Sequence, residues 1–190
     1  MDWGNLLRRM VHMCTPLFLL YYLAPDPLWS GGLSPQQGLV IVLAIVLGVE
    51  ALRLIFKPAI PGMRWYEYHR VSAATWAGLG ITLSLLFFPF RYTLPVFLGM
   101  GWVDPLIGEL RKRGSGLYPW LPIVLYFLLA VGSMALVMGP SLQVLVAGGV
   151  ATGLAIYVES LPTKIVDDDF LMLVVPLLGL AGTFWLFAQI

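Results

Sequence analysis

The chain has 190 residues, of which 59% are hydrophobic and 11% charged, and its mean hydropathy is +0.88. A water-soluble fold of this size has too much surface to hide so many apolar side chains, so the bilayer must act as solvent. A single cysteine, Cys14, excludes a disulfide scaffold. Eleven Lys and Arg against ten Asp and Glu leave a net charge of only +1 and argue against a nucleic-acid partner.

A bilayer core needs about 20 mostly apolar residues per helix. The pattern predicts an all-α, polytopic membrane protein of seven spans, near 10–24, 37–56, 71–88, 92–110, 119–138, 141–158 and 170–188. Residues 1–190 read as one transmembrane domain, with no room for a separate soluble catalytic unit. Pro25-Asp26-Pro27 closes the first run, since proline cannot continue a helix. That run leads into the polytopic pattern without a clear small-x-small cleavage site, so no cleavable signal is expected.

Charge tests the count. With seven alternating spans, Arg8, Arg9, Lys57, Arg64, Arg70, Arg111, Lys112, Arg113 and Lys164 fall on the N-terminal side. Only Arg91 falls on the other, and Arg53 lies inside the second span. The positive-inside rule then places the N-terminus in the cytoplasm and the C-terminus outside. The acids gather on the same side, which that rule does not require: Asp2, Glu50, Glu67, Asp104, Glu109, Glu159, Asp167, Asp168 and Asp169, against Asp26 alone. A channel would spread polar groups through its depth. This one-sided layout suits a membrane enzyme that takes a water-soluble cosubstrate from the cytosol.

Four clusters carry the candidate chemistry. In Arg8-Arg9-Met10-Val11-His12, helical neighbours at i+3 and i+4 offer two guanidiniums and an imidazole to phosphate, or simply anchor the topology. Glu50 and Arg53 can pair at i, i+3, either at a functional site or as a lock between helices. In Trp102-Val103-Asp104-Pro105-Leu106-Ile107-Gly108-Glu109, an intramembrane carboxylate needs a partner or solvent. Pro105 can kink this span, and Gly108 would allow close backbone approach. Asp104 and Glu109 are oxygen ligands of the type Mg²⁺ takes beside phosphates. Arg111-Lys112-Arg113-Gly114-Ser115-Gly116 follows as a basic loop able to fold over phosphates.

The fourth cluster is Glu159-Ser160-Leu161-Pro162, followed by Asp167-Asp168-Asp169. Its acids invite a divalent metal, although N-terminal acids also suit a helix start. His69 reads as a solvated loop histidine, and Gly149-x-x-x-Gly153 as a tight helix contact. No HExxH, CxxC or Walker loop occurs. The last span carries no lysine for a retinal Schiff base.

Taken in order, Arg-Arg-x-x-His at 8–12, Glu50-x-x-Arg53, Asp104-Pro-x-x-Gly108 with its basic loop, and Glu159-Ser-Leu-Pro with Asp167-Asp168-Asp169 resemble the polyprenol kinase family of dolichol, phytol and CTP-dependent diacylglycerol kinases. The ending is similar to the phytol kinase-like Asp-Asp-Asn, with Asp169 in place of Asn. The Lys-x-x-Glu-Gly stretch usual in that family is missing, which leaves the nucleotide open between CTP, the favoured one, and ATP. The resemblance implies transfer of a phosphoryl group from a nucleoside triphosphate to an isoprenoid or glycerolipid alcohol, at the cytoplasmic face of the cell membrane.

It further implies Mg²⁺ on Asp104, Asp167 and Asp168, with Glu159 beside them. Arg111, Lys112 and Arg113 would clamp phosphates, and Arg8, Arg9 and His12 would meet the transferring group. Glu50 and Arg53 would orient that cluster, and His12 or a carboxylate would be the base. A lipid cytidylyltransferase would use the same metal site, and a non-enzymatic scaffold or transporter is the remaining alternative. A transporter should carry midplane polar groups and often a repeat.

Overall fold

The structure is a computed structural model that describes residues 9–58, 65–163 and 165–189. Every regular element among them is helical. In chain order these are α1 (Pro35–Phe56), α2 (Ala73–Phe87), α3 (Phe90–Leu98), α4 (Asp104–Lys112), α5 (Trp120–Met138), α6 (Leu142–Ser160) and α7 (Asp168–Phe187). Two 3₁₀ helices, Thr15–Leu23 and Trp65–His69, and the π-helical turn Gly99–Val103 join them.

Among the described residues, four helices, α1, α5, α6 and α7, are long and apolar enough to cross a membrane. The other three expected spans are built differently. The first is a helical turn at 9–13 followed by the 3₁₀ helix. The third is α2, with 15 residues. The fourth is a helical path from α3 through a π-helical turn, Gly99–Val103, into α4.

Local chemistry sets these boundaries. Ser34 opens α1 with a capping box: its hydroxyl accepts from the Gln37 amide, and the Gln37 side chain accepts from the Ser34 amide. Ser72, Ser141 and Asp167 cap α2, α6 and α7 with side-chain oxygens. The π turn has its own cause. Pro105 has no N–H, and in a regular α-helix its ring would meet the Gly101 carbonyl. Widening the preceding turn relieves that conflict and changes the direction in which later side chains leave the axis.

Helix α7 packs along both α6 and α2 and also meets α3. Met172, Leu173, Leu177 and Leu180 are fully buried on it. Helix α6 buries Ala147, Ala151 and Ala155 completely, and Gly179 of α7 lies against it, where an added Cβ would fall 2.3 Å from Leu154 and 3.2 Å from Val150. Small residues on such a seam let two backbones approach where no hydrophobic force drives association. The glycines expected to make a tight contact, Gly149 and Gly153, lie on the exposed side of α6. The residue pressed against α5 is Gly148, whose added Cβ would lie 2.5 Å from Val131. Helix α1 meets α2 and leaves Val40, Ile41, Val42, Ile45 and Val49 exposed, as lipid contact requires.

Two close approaches tie the first helical segment and α5 to the π turn. A Cβ on Gly99 would fall 2.2 Å from the ring of Tyr126, so that ring lies against bare backbone. A Cβ on Gly101 would fall 2.8 Å from Pro16 Cδ and 3.0 Å from the His12 carbonyl. The first segment therefore crosses the π turn in backbone contact. Gly101→Val is expected to destabilise the protein by about 1–3 kcal/mol through overpacking. Gly108→Ala meets nothing within 4 Å and should hold or raise stability, since Ala is the better helix former. Thermal unfolding in detergent compares the two.

Helices α2 and α7 run in the same direction: Trp76 meets Phe170 edge to face at 5.4 Å, and Gly80 meets Leu173 one turn later. Their N-termini, carrying Ser72 and Asp167, therefore lie at one end of the bundle. At the other end the Tyr22 hydroxyl donates to the Phe88 carbonyl at 2.6 Å and accepts from Thr93 at 3.0 Å.

Candidate functional site

The π turn ends at Val103, so Asp104 is the first residue of α4. One turn earlier, Gly101 holds the His12 backbone against the helix. The imidazole consequently reaches Asp104, with Nδ1 3.2 Å from Asp104 Oδ2. Its other nitrogen, Nε2, lies 3.5 Å from Asp169 Oδ2 at the start of α7. Three segments distant in sequence meet here. His12 is 7% exposed and Asp169 2%, while the Asp104 side chain, at 18%, is the most accessible member. One ligand atom from each lies within 4.8 Å of the other two. Asp167, Asp168 and Asp169 form a second such group, which shares Asp169.

Basic residues border the acids. Arg111 bonds the buried Glu159 carboxylate, donates to the Tyr118 hydroxyl at 2.7 Å, and lies over the Tyr118 ring at 4.9 Å. Burial works against the Arg111 charge, but its hydrogen bond to the Tyr118 hydroxyl and the Glu159 carboxylate outweigh it and raise its pKa. Asp104 and Asp168 also lie within electrostatic range of Glu159. Arg9 pairs with Glu109 at 2.6 Å, and Arg113 binds the same carboxylate. Lys112 is exposed. Arg8, Arg64 and Lys164 lie outside the described residues.

Of the residues the sequence singles out, the structure brings together His12, Asp104, Asp169, Asp168, Glu159, Arg9 and Arg111 at one end. Asp167 stands at the edge of this group, where its side chain accepts from the Asp169 amide as the cap of α7. Arg111 and Arg113 are each fixed to a carboxylate rather than left as an open clamp. Gly108 has open space beside it, so it provides no close backbone approach.

Glu50 and Arg53 are used elsewhere than at His12. Arg53 Nε and Nη2 donate to the two Glu50 oxygens at 2.8 and 2.7 Å. Its remaining donors reach the Glu67 and Arg70 carbonyls at 2.9 and 2.7 Å. Glu50 also accepts from the Ser72 amide at 2.7 Å and its hydroxyl at 3.2 Å. The pair thus fastens the end of α1 to the connection into α2. His69 is exposed, as a loop histidine should be.

Asp169 is the site residue that sequence reasoning left as one acid of three. The signal for it is the buried stripe of α7: Asp169, Met172, Leu173, Pro176, Leu177 and Leu180 recur at three- and four-residue spacing. Asp168 falls off that stripe. Tyr118, which the sequence does not single out, holds Arg111.

No family model matches the chain, and neither does any curated protein or solved structure.

Proposed function

We propose that the protein is a multi-pass membrane lipid kinase of about seven spans, with its N-terminus and active face in the cytoplasm. It transfers the terminal phosphoryl group of CTP, or ATP, to the hydroxyl of an isoprenoid or glycerolipid alcohol. The observation that carries this reading is the meeting of His12, Asp104 and Asp169 from three separate segments, at one end of an apolar bundle and beside a fixed guanidinium. A scaffold needs no such arrangement.

Phosphoryl transfer asks mainly for positioning and charge neutralisation. The lipid oxygen forms a bond to the γ-phosphorus, the bond to the β-phosphate oxygen breaks, and the nucleoside diphosphate leaves. The hydroxyl proton passes to the imidazole or a carboxylate of the His12–Asp104–Asp169 group. Arg111, held by Glu159 and Tyr118, presents a fixed cation to the phosphates. Arg9 and Arg113 add positive charge on either side of Glu109. The apolar helices shield the lipid tail while its hydroxyl meets the acidic end. The carboxylate oxygens of Asp167, Asp168 and Asp169, within 4.8 Å of one another, suit Mg²⁺. That ion would neutralise charge on the nucleotide phosphates.

The purified protein, incubated with labelled CTP and ATP against polyprenol, phytol, geranylgeraniol and diacylglycerol, should yield a phosphorylated lipid and a nucleoside diphosphate. Pyrophosphate release would assign it to cytidylyl transfer instead. No product with any nucleotide and lipid would overturn both.

A further inference from the structure

The acidic end contains two overlapping donor sets, and they differ in chemistry. Asp167, Asp168 and Asp169 offer only oxygen, whereas His12, Asp104 and Asp169 include an imidazole nitrogen. We propose that His12, Asp104 and Asp169 form a site of their own for a first-row transition cation, Mn²⁺ being the probe, with His12 as a direct ligand. This deepens the kinase reading and rests on it for its purpose, since phosphoryl transfer is served by two cations placed close together.

The geometry comes first. Two donors at ~2.1 Å from one cation, separated by about 100–110°, lie about 3.2–3.4 Å apart. His12 Nδ1 and Asp104 Oδ2, 3.2 Å apart, fit that spacing as they stand, while Asp169 Oδ2 lies 3.5 Å from the other ring nitrogen and has to turn toward the ion that Nδ1 would hold. Three donors at corners no more than 4.8 Å apart sit within ~2.8 Å of a common centre, so small side-chain rotations complete the site.

Charge comes second. Asp104 and Asp169 bring two carboxylates into a poorly hydrated place, and buried like charges are costly unless a cation sits between them. A neutral imidazole with a divalent ion gives full compensation. An imidazolium alone offsets only one carboxylate.

Donor type decides the class of ion. Mg²⁺ favours oxygen and sheds its waters reluctantly. Imidazole suits first-row transition ions, and carboxylates accept Mn²⁺ well. The site is also preorganised, because the helical turn at 9–13, α4 and α7 each contribute one ligand, and Gly101 in the π turn before α4 holds the His12 backbone close. With His12 as a ligand, the lipid proton goes to a carboxylate.

The test uses the full chain in detergent with Mn²⁺ alone, without nucleotide or lipid. Paramagnetic resonance should show bound Mn²⁺ with a nitrogen coupling from the imidazole, displaced by Mg²⁺ only at about tenfold or greater excess. His12→Gln should remove the coupling and weaken binding by about 10–100-fold. Absence of bound Mn²⁺, bound Mn²⁺ without nitrogen coupling, or displacement by equimolar Mg²⁺ would each overturn the site. If His12→Gln does not fold, the coupling and the Mg²⁺ competition in the unaltered protein still decide. Lipid phosphorylation with Mg²⁺ and no nitrogen coupling sinks this inference alone. Nitrogen coupling with no phosphorylated lipid sinks the kinase reading alone.

Discussion

Asp104→Asn is expected to lower the turnover of lipid phosphorylation by about 10²–10³-fold, the scale of removing one preorganised electrostatic contact from a reaction centre. Of the three residues around His12, Asp104 has the most accessible side chain, 18% against 8% for His12 and 3% for Asp169. It is therefore the one that faces an incoming substrate. Its carboxylate lies beside His12 and within electrostatic range of Glu159, so one substitution alters the imidazole, the charge of the pocket and any cation held there. Asn is nearly the same size and leaves Asp169 in place beside His12, so thermal unfolding should move by only a few degrees.

Comparison variants sharpen this expectation. Asp169→Asn keeps an oxygen donor and matches the Asp-Asp-Asn ending of the family the sequence resembles, so its loss should be nearer tenfold. Lys112→Ala, at an exposed position, should stay within about threefold, since surface substitutions seldom cost much. Labelled phosphate transfer at saturating nucleotide measures all three. Unchanged turnover in Asp104→Asn would remove the carboxylate from the chemistry and with it the proposed site.

The membrane character and the all-helical architecture were legible because both depend on composition and on runs of apolar residues. The crowding of chemistry at one end was legible because charges are few and alternate spans sort them. Which charges touch was not. Glu50-x-x-Arg53 reads alike whether it serves a reaction or a helix junction; the answer depends on Glu67, Arg70 and Ser72, and their placement is tertiary. Gly149 and Gly153 fit a helix-packing motif, yet the small residues that α6 buries are Ala147, Gly148, Ala151 and Ala155. Both faces carry small residues, and periodicity alone cannot choose between them. The π turn was half legible: Pro105 announces a disturbed helix, but not that it is resolved by a wider turn rather than a kink. Asp169 was legible in principle, as the first residue of a buried stripe, once the stripe is extended back past its apolar members.

The largest expected loss of stability comes from Arg53→Met. Arg53 and Glu50 are 6% and 7% exposed. Their two parallel hydrogen bonds, at 2.7 and 2.8 Å, form the fork that only a guanidinium presents to a carboxylate. The same guanidinium caps two carbonyls of the connection, at Glu67 and Arg70. Without it, Glu50 stays buried beside the Ser72 amide with no cation, and two backbone acceptors lose their donor. Breaking a buried pair from one side costs about 3–5 kcal/mol. At about 2–4 °C per kcal/mol for a chain of this size, the melting temperature should fall by roughly 10 °C. Glu50→Gln with Arg53→Met should recover part of that loss, because the stranded charge is gone while the Ser72 amide keeps an acceptor. A double-mutant cycle read by thermal unfolding isolates the coupling. Near-additive effects would show that the pair does not hold α1 to the bundle. A strong coupling would explain how α1, with most of its surface left to lipid, keeps a fixed position against α2.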